Sequence, residues 1–178
     1  MTPAPSGIEI RPSRLGDELA IAVVHVASWQ TGYRGIFDDA FLDALRPEQR
    51  VDRYTLGLDT VTDPHTDVAV DHDGFLGAFV TTMACRDADA KGMGELAALY
   101  VHPSWWGRGI GRLLLAHGTD RLRVNGFTTA VLWVLKENDR ARGLYESSGW
   151  EWDGSERQET PWGVLATVQR LRLSLLDP

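Results

Sequence analysis

Glycines at 107, 109 and 111 follow an apolar run that stops at Pro103 and surround Ile110, where an apolar-periodic stretch starts. A glycine-rich turn leading into a helix can hold an anion. Without Cβ atoms the backbone comes close to a ligand, and the first helical N–H groups have no intrahelical acceptor. The positive end of the helix dipole adds to those donors, so the arrangement suits a phosphate or pyrophosphate. Spacing narrows the choice. A P-loop needs Gly-Lys followed by Ser or Thr, and the chain has no Gly-Lys pair. A dinucleotide fingerprint counted from Gly107 and Gly109 puts Arg112 where its third glycine belongs, and no strand ending in an acid follows at its distance. A plain β-to-α turn remains the simple alternative.

A second constellation lies downstream, in Asn138 to Trp150. Asn138 suits an N-cap and Gly149 a helix C-terminus, with Ala141, Leu144 and Tyr145 on one face between them. The preceding run Ala130–Leu135 reads as a fully buried strand. A tyrosine O–H beside a thioester would protonate the departing thiolate, whose pKa is about 8.5. Taken singly, Asn138 is equally well only a cap and Tyr145 only a core aromatic.

The two stretches in this order are similar to the two motifs of the GNAT (Gcn5-related) N-acetyltransferases. The first matches as x-x-Gly-x-Gly after a strand and a proline. The second matches as Asn138, Ala141, Tyr145 and Gly149 followed by aromatic Trp150. Trp106 stands where that family usually has Gln or Arg; since the backbone donors do not depend on that side chain, it is expected to alter packing and not to abolish binding. The resemblance implies acetyl-CoA as cofactor. Leu99, Tyr100 and Val101 would then offer backbone groups to the pantetheine arm. Trp106, Gly107, Arg108, Gly109, Ile110, Gly111 and Arg112 would surround the pyrophosphate. Asn138 would bond the pantetheine arm, with Ala141 and Arg142 also in the cofactor set, and Arg108, Arg140 or Arg142 would reach the 3′-phosphate.

For catalysis the resemblance assigns a backbone N–H near Val101 to the oxyanion, where the strand splays from its neighbour, and Tyr145 to the leaving sulfur. A protonated alkylamine, with a pKa near 10.4, must lose a proton before it attacks. The resemblance makes Glu95 the preferred base, since members of that family often place a catalytic carboxylate on this strand, ahead of His25, His102 and Glu137. No Ser-His or Cys-His arrangement is visible, which favours direct attack in a ternary complex over an acyl-enzyme. The acceptor side would draw on Trp29, Tyr33 and Glu95, with Phe37, Trp152, Glu156, Glu159 and Trp162 nearby in the pattern. It fits an amine, small molecule or peptide, carrying an apolar body. The rival reading is a non-catalytic acyl-CoA-binding or regulatory module of the same fold. An enzyme acylating charged tRNA is disfavoured by acidity.

Composition frames these readings. At 178 residues and 43% hydrophobic content the chain suits one domain over residues 7–178, after a disordered tail of residues 1–6. A net charge of −7 argues against nucleic acid, which needs a basic face. Cys85 is the one cysteine, so no intrachain disulfide forms. The N-terminus has no basic and apolar signal pattern, and no apolar stretch spans a membrane, so a cytoplasmic protein is expected. The histidines show no metal-ligand spacing, so no metal is expected. A homodimer is compatible with the resemblance.

The elements that must position these residues follow from periodicity. Ile8–Arg11 reads as a strand, and 13–30 as a helix. A helix starts at Asp38 and another covers 48–58. Val68–Val70 and Phe75–Val80 flank an Asp-Gly hairpin turn, and 95–102 is a strand. The long helix ends at Asn125-Gly126, with Gly118 inside it implying close packing on a sheet. A polar segment follows Trp150, and 164–173 is the last strand. The order β–α–α–β–β–β–α–β–α–β–β describes an α+β domain, a mixed sheet of about six to seven strands flanked by helices. It is also the order the resemblance implies.

Overall fold

The computed structural model of the chain describes residues 7–54, 56–57, 60 and 62–176. The expected tail and Leu58 lie outside them. Strands β1 (Ile8–Pro12), β2 (His65–Asp71), β3 (Leu76–Ala84), β4 (Gly94–Val101), β5 (Thr129–Leu135), β6 (Glu151–Glu159) and β7 (Ala166–Ser174) form one open seven-stranded sheet in the order β1-β2-β3-β4-β5-β7-β6. Only β4 and β5 run parallel; the other neighbours are antiparallel.

Helices cover both faces. Because strand side chains alternate, Ala78 and Val80 of β3 turn to the helix α3 (Ile110–Val124), while Phe79 between them packs with Ile21 and Val24 of α1 (Glu18–Gly32). Gly118 sits where α3 crosses the sheet. A Cβ there would lie 2.9 Å from Val80 Cγ2, so glycine permits the approach. Helix α2 (Asp39–Ala44) starts where Asp38 accepts the Phe41 N–H, and α4 (Asp139–Glu146) where Asn138 accepts the Ala141 N–H at 3.1 Å.

Two expectations need correction. First, α1 begins at Glu18 and not at residue 13. Ser13 still extends β1 by donating to Thr66 O, and Asp17 is held by Arg11 at 2.7 Å. Second, no α-helix runs through the described residues of 48–58. Two 3₁₀ turns, Pro47–Gln49 and Val51–Arg53, stand there, and Tyr54 leaves helical space (φ −96, ψ 125) to pack with the Ile21 cluster. The element order ends as expected in two strands after α4: the polar segment after Trp150 is β6, whose charged, mostly exposed residues suit a sheet edge that must not pair with another chain.

The sheet is interrupted in one place. β4 pairs with β5 only at Gly94↔Ala130 and Glu95↔Val131. Ala97 is left over in a bulge against β3, and beyond it β4 stays with β3 while β5 stays with β7. A wedge-shaped gap opens toward the C-terminal ends of the two parallel strands.

Candidate active site

The gap has polar edges. His102 donates its N–H to Gly77 O across the β3–β4 ladder at 2.7 Å. The two-residue alternation of a strand then turns the N–H and C=O of Val101 and Leu99 the other way, toward β5. The Val101 carbonyl is already taken, receiving the Trp106 indole N–H at 2.7 Å and the Ser28 hydroxyl at 2.9 Å. Its N–H faces the gap, which opens into a cavity of about 620 Å³.

At one end of this cavity lies the turn into α3. Gly107 and Gly109 have φ of 76° and 78°, in the left-handed region that glycine adopts without strain. Gly109 occupies the cap position of α3 with no side chain to bond the helix N–H groups. The N–H groups of residues 107–112 accordingly have no hydrogen-bond acceptor among the described residues. These are free donors at the positive end of a 15-residue helix, the chemistry that holds a pyrophosphate. Trp106 ties this turn to its surroundings. Besides its bond to Val101, its ring carries the Arg140 guanidinium at 3.7 Å and backs onto Gly32 of α1.

The opposite wall belongs to α4. Asn138 spends its carbonyl on the helix cap and also interacts with the Tyr33 hydroxyl. Tyr145 is 7% exposed, its ring tilted against Trp150. Its hydroxyl has no hydrogen-bond partner among the described residues, although it is not a sealed-in polar atom. Burial pushes that hydroxyl well above the ordinary tyrosine range, so it keeps its proton.

The far end is aromatic and charged. Trp29 donates its indole N–H to the Tyr100 hydroxyl at 3.2 Å, meets Tyr33 edge-on at 4.5 Å and stacks on Phe37 at 5.5 Å. Glu95 lines the cavity half-buried. Burial, and then Asp87, pushes its carboxyl above the ordinary glutamate range, while Arg157 opposes the shift.

Of the residues expected from sequence, Trp29, Tyr33, Glu95, Leu99, Tyr100, Val101, Trp106, Gly107, Gly109, Ile110, Gly111, Arg112, Asn138, Ala141 and Tyr145 line this one cavity. Gly111 does so from inside α3 rather than from the turn. Arg108 and Arg142 do not line it; Arg142 is bonded to Glu146 at 3.2 Å, and Arg140 reaches the wall instead. Among the alternative bases, His25, His102 and Glu137 are absent from the lining. His25 is sealed in an aromatic box, stacked on Tyr100 at 4.2 Å and bonded to the Tyr54 hydroxyl at 2.8 Å, and burial drives it down to about 3. Glu156 is held by Lys136 at 3.0 Å, outside the cavity. Sequence reasoning missed Trp133 and Arg157. Trp133 projects from β5 and donates to Asp87 at 2.8 Å; Arg157 lies over its ring at 3.9 Å and pairs with Asp87 and Glu159. The alternation of β5 was the available signal, masked because the whole run is apolar.

The sequence profile described as "Acetyltransferase (GNAT) family" matches residues 27–150. YuaI of Bacillus subtilis, an uncharacterized N-acetyltransferase, is 32% identical over 132 residues, 74% of this chain and 73% of the relative. The mycothiol acetyltransferase of Beutenbergia cavernae is 44% identical over 78 residues, which are 44% of this chain and only 26% of that protein. Among solved structures, a GCN5-related N-acetyltransferase from Kribbella flavida superposes with a TM-score of 0.71 at 21% identity, covering 96% of this chain and 99% of the other. The paia N-acetyltransferase of Thermoplasma acidophilum, solved with coenzyme A, gives 0.66 at 20% identity, covering 91% and 97%.

Proposed function

The chain belongs to the GNAT family of acetyltransferases, and from that premise we propose that it moves the acetyl group of acetyl-CoA to a primary amine by direct attack in a ternary complex. The observation that carries this reading is the β4–β5 gap, whose edge offers unpaired backbone groups between a nest of free N–H donors and the Tyr145 hydroxyl. The residues present fit the cofactor: free amides at 107–112 suit the diphosphate, and the strand edge at Leu99 and Val101 suits an extended pantetheine arm. When bound, acetyl-CoA supplies an acetyl carbon activated by a thiol leaving group of pKa about 8.5.

The chain's own groups do the rest. The Val101 N–H, turned toward the gap by the strand alternation and flanked by a carbonyl that Trp106 and Ser28 hold, stabilises the oxygen that becomes negative as nitrogen attacks. Glu95, with its raised affinity for a proton, accepts one from the incoming ammonium group and releases it to solvent. Tyr145, kept protonated by burial, gives its proton to the sulfur. A C–N bond forms as the C–S bond breaks, and the second proton lost from nitrogen balances the one delivered by Tyr145. No covalent acyl-enzyme is needed, and Trp29 and Tyr33 supply the apolar wall for the body of the amine.

The test is thiol release from acetyl-CoA across a panel of primary amines, with the product identified by its mass. Amine-dependent release that collapses in Tyr145→Phe is the expected result. Tight coenzyme A binding with no turnover on any amine would support a binding module instead.

A further inference from the structure

A second cavity, about 560 Å³, adjoins the acceptor end of the first and shares Pro161 with it. Gln49, Arg50, Arg53, Thr160 and Trp162 line it. Three features set this place apart. Arg50 lies over the Trp162 ring at 4.1 Å, yet its Nε is buried with no hydrogen-bond partner among the described residues. Neither Arg50 nor Arg53 has a carboxylate within ion-pair distance among those residues, in a chain where acids outnumber Lys and Arg by 25 to 18. Across the same region Arg157 is fully matched by Asp87 and Glu159. Lastly, Trp162 is the one described non-glycine residue at positive φ, 56°. That costly conformation sets its ring under Arg50 and beside Trp29, at 6.1 Å.

A buried Nε–H without an acceptor is unfavourable unless something completes it. Burial without a counter-charge also lowers the Arg50 pKa, in keeping with a site whose anion comes from outside. We propose that Arg50, supported by Arg53, binds an anionic oxygen group of the acceptor, so that the substrate is an amine carrying a carboxylate or phosphate at the end remote from its nitrogen. This rests on the acetyltransferase reading above and narrows its substrate class. Glu95 and Glu159 border the nitrogen end and the two arginines the far end, with Trp29 and Trp162 between them. Polyamines and aminoglycosides, which are purely cationic, lack the group that Arg50 needs.

The experiment compares matched acceptors with acetyl-CoA saturating. Each member of a ladder of ω-amino carboxylates is paired with its own carboxamide, and each O-phosphorylated amino alcohol with the free alcohol. The expected result is a preference for the charged member of about ten- to hundredfold in kcat/KM, carried by KM, as for charge-assisted hydrogen bonds. Whether the carboxylate or the phosphate pair shows it identifies the anion. Arg50→Gln should erase the preference while leaving carboxamide turnover unchanged, and Arg50→Lys should restore part of it. Equal turnover of both members in the wild type, or an equal loss on both in Arg50→Gln, would overturn the proposal. If no amine is acetylated, the enzyme reading fails and the anion site is read separately by calorimetry, using glutarate against glutaramide. Heat from glutarate alone, abolished in Arg50→Gln, supports the site; no heat in the wild type refutes it.

Discussion

Replacing Tyr145 with Phe separates chemistry from structure. The ring is 7% exposed and packs against Trp150, and phenylalanine keeps those contacts. The hydroxyl bonds to nothing among the described residues, so its removal forfeits no protein hydrogen bond and leaves no orphaned partner. Deleting a paired buried hydroxyl typically costs 0.5–1.5 kcal/mol or more, whereas the change here should stay within about 0.5 kcal/mol. Loss of a positioned proton donor, by contrast, slows a reaction by roughly 10²–10⁴-fold. The variant should therefore melt with the wild type and bind coenzyme A with unchanged affinity, yet show kcat reduced at least about a hundredfold. The donor role also predicts that the deficit shrinks on acetyl thioesters of more acidic thiols, which leave without help. Urea unfolding, calorimetry with coenzyme A and initial rates on the two thioester types give the readouts. A kcat within about threefold of wild type would refute the proton-donor argument, since a group worth so little supplies under 1 kcal/mol to the barrier.

Three other perturbations test the remaining parts. Glu95→Gln should lower kcat/KM about a hundredfold at neutral pH; with a weakly basic amine, the wild-type rate should also fall on the acid side at a pH above the ordinary glutamate range, a limb absent from the variant. An identical limb in both proteins would remove Glu95 from the role of base. Gly109→Ala meets open space but must hold φ near 78°, so it should cost about 1–2 kcal/mol in fold stability and weaken coenzyme A binding. Gly111→Ala, at a helical position with its nearest contact 3.4 Å away on Leu144, should lose much less stability by the same calorimetry and urea titration. His25 stays neutral in the fold down to about 3, while the unfolded chain protonates it near 6.5. Its stability is therefore fully present above that upper value and declines as pH falls from about 6.5 toward 3, by about 1.4 kcal/mol per pH unit. His25→Phe should shed this slope, and parallel stability–pH curves for the two proteins would disprove it.

Much of the fold was legible because its punctuation is local. Asp38 and Asn138 cap the helices that follow them, Asn125 and Gly126 end α3, and Asp71 with Gly74 turns β2 into β3. Each signal acts within a few residues of its own position. The misreadings occur where tertiary contacts outweigh local preference. Val51 and Tyr54 have helical spacing, but Tyr54 contributes more by leaving the helix to meet His25 and the Ile21 cluster. Leu15 fits the periodicity of α1, yet it is 80% exposed, because Asp17 is committed to Arg11 and the chain turns at Gly16 before the helix starts.

The site divides the same way, and the division explains what a sequence can disclose about an enzyme. The end proposed to hold phosphate is made of backbone, so glycine spacing and a helix start are enough to read it. The end proposed to hold the acceptor is made of side chains brought together over long distances. Trp133 meets a carboxylate 46 residues away, Arg157 meets the same Asp87 across 70, and Arg50 finds Trp162 only when the β6–β7 connection folds over the turns after α2. Nothing in the local pattern of those residues distinguishes them from solvated arginines and packing aromatics. Trp106 belongs to both classes. Its side chain departs from the resembling family's usual Gln or Arg in the most recognisable part of the sequence. Its indole nonetheless bonds the Val101 carbonyl, one peptide unit beyond the Val101 N–H that faces the gap, and carries Arg140 on its outer face. An amide at position 106 could reach the same carbonyl but could not offer Arg140 a ring. The departure therefore preserves a tie to β4 and adds one to α4, so that the two walls of the gap are held by a single side chain.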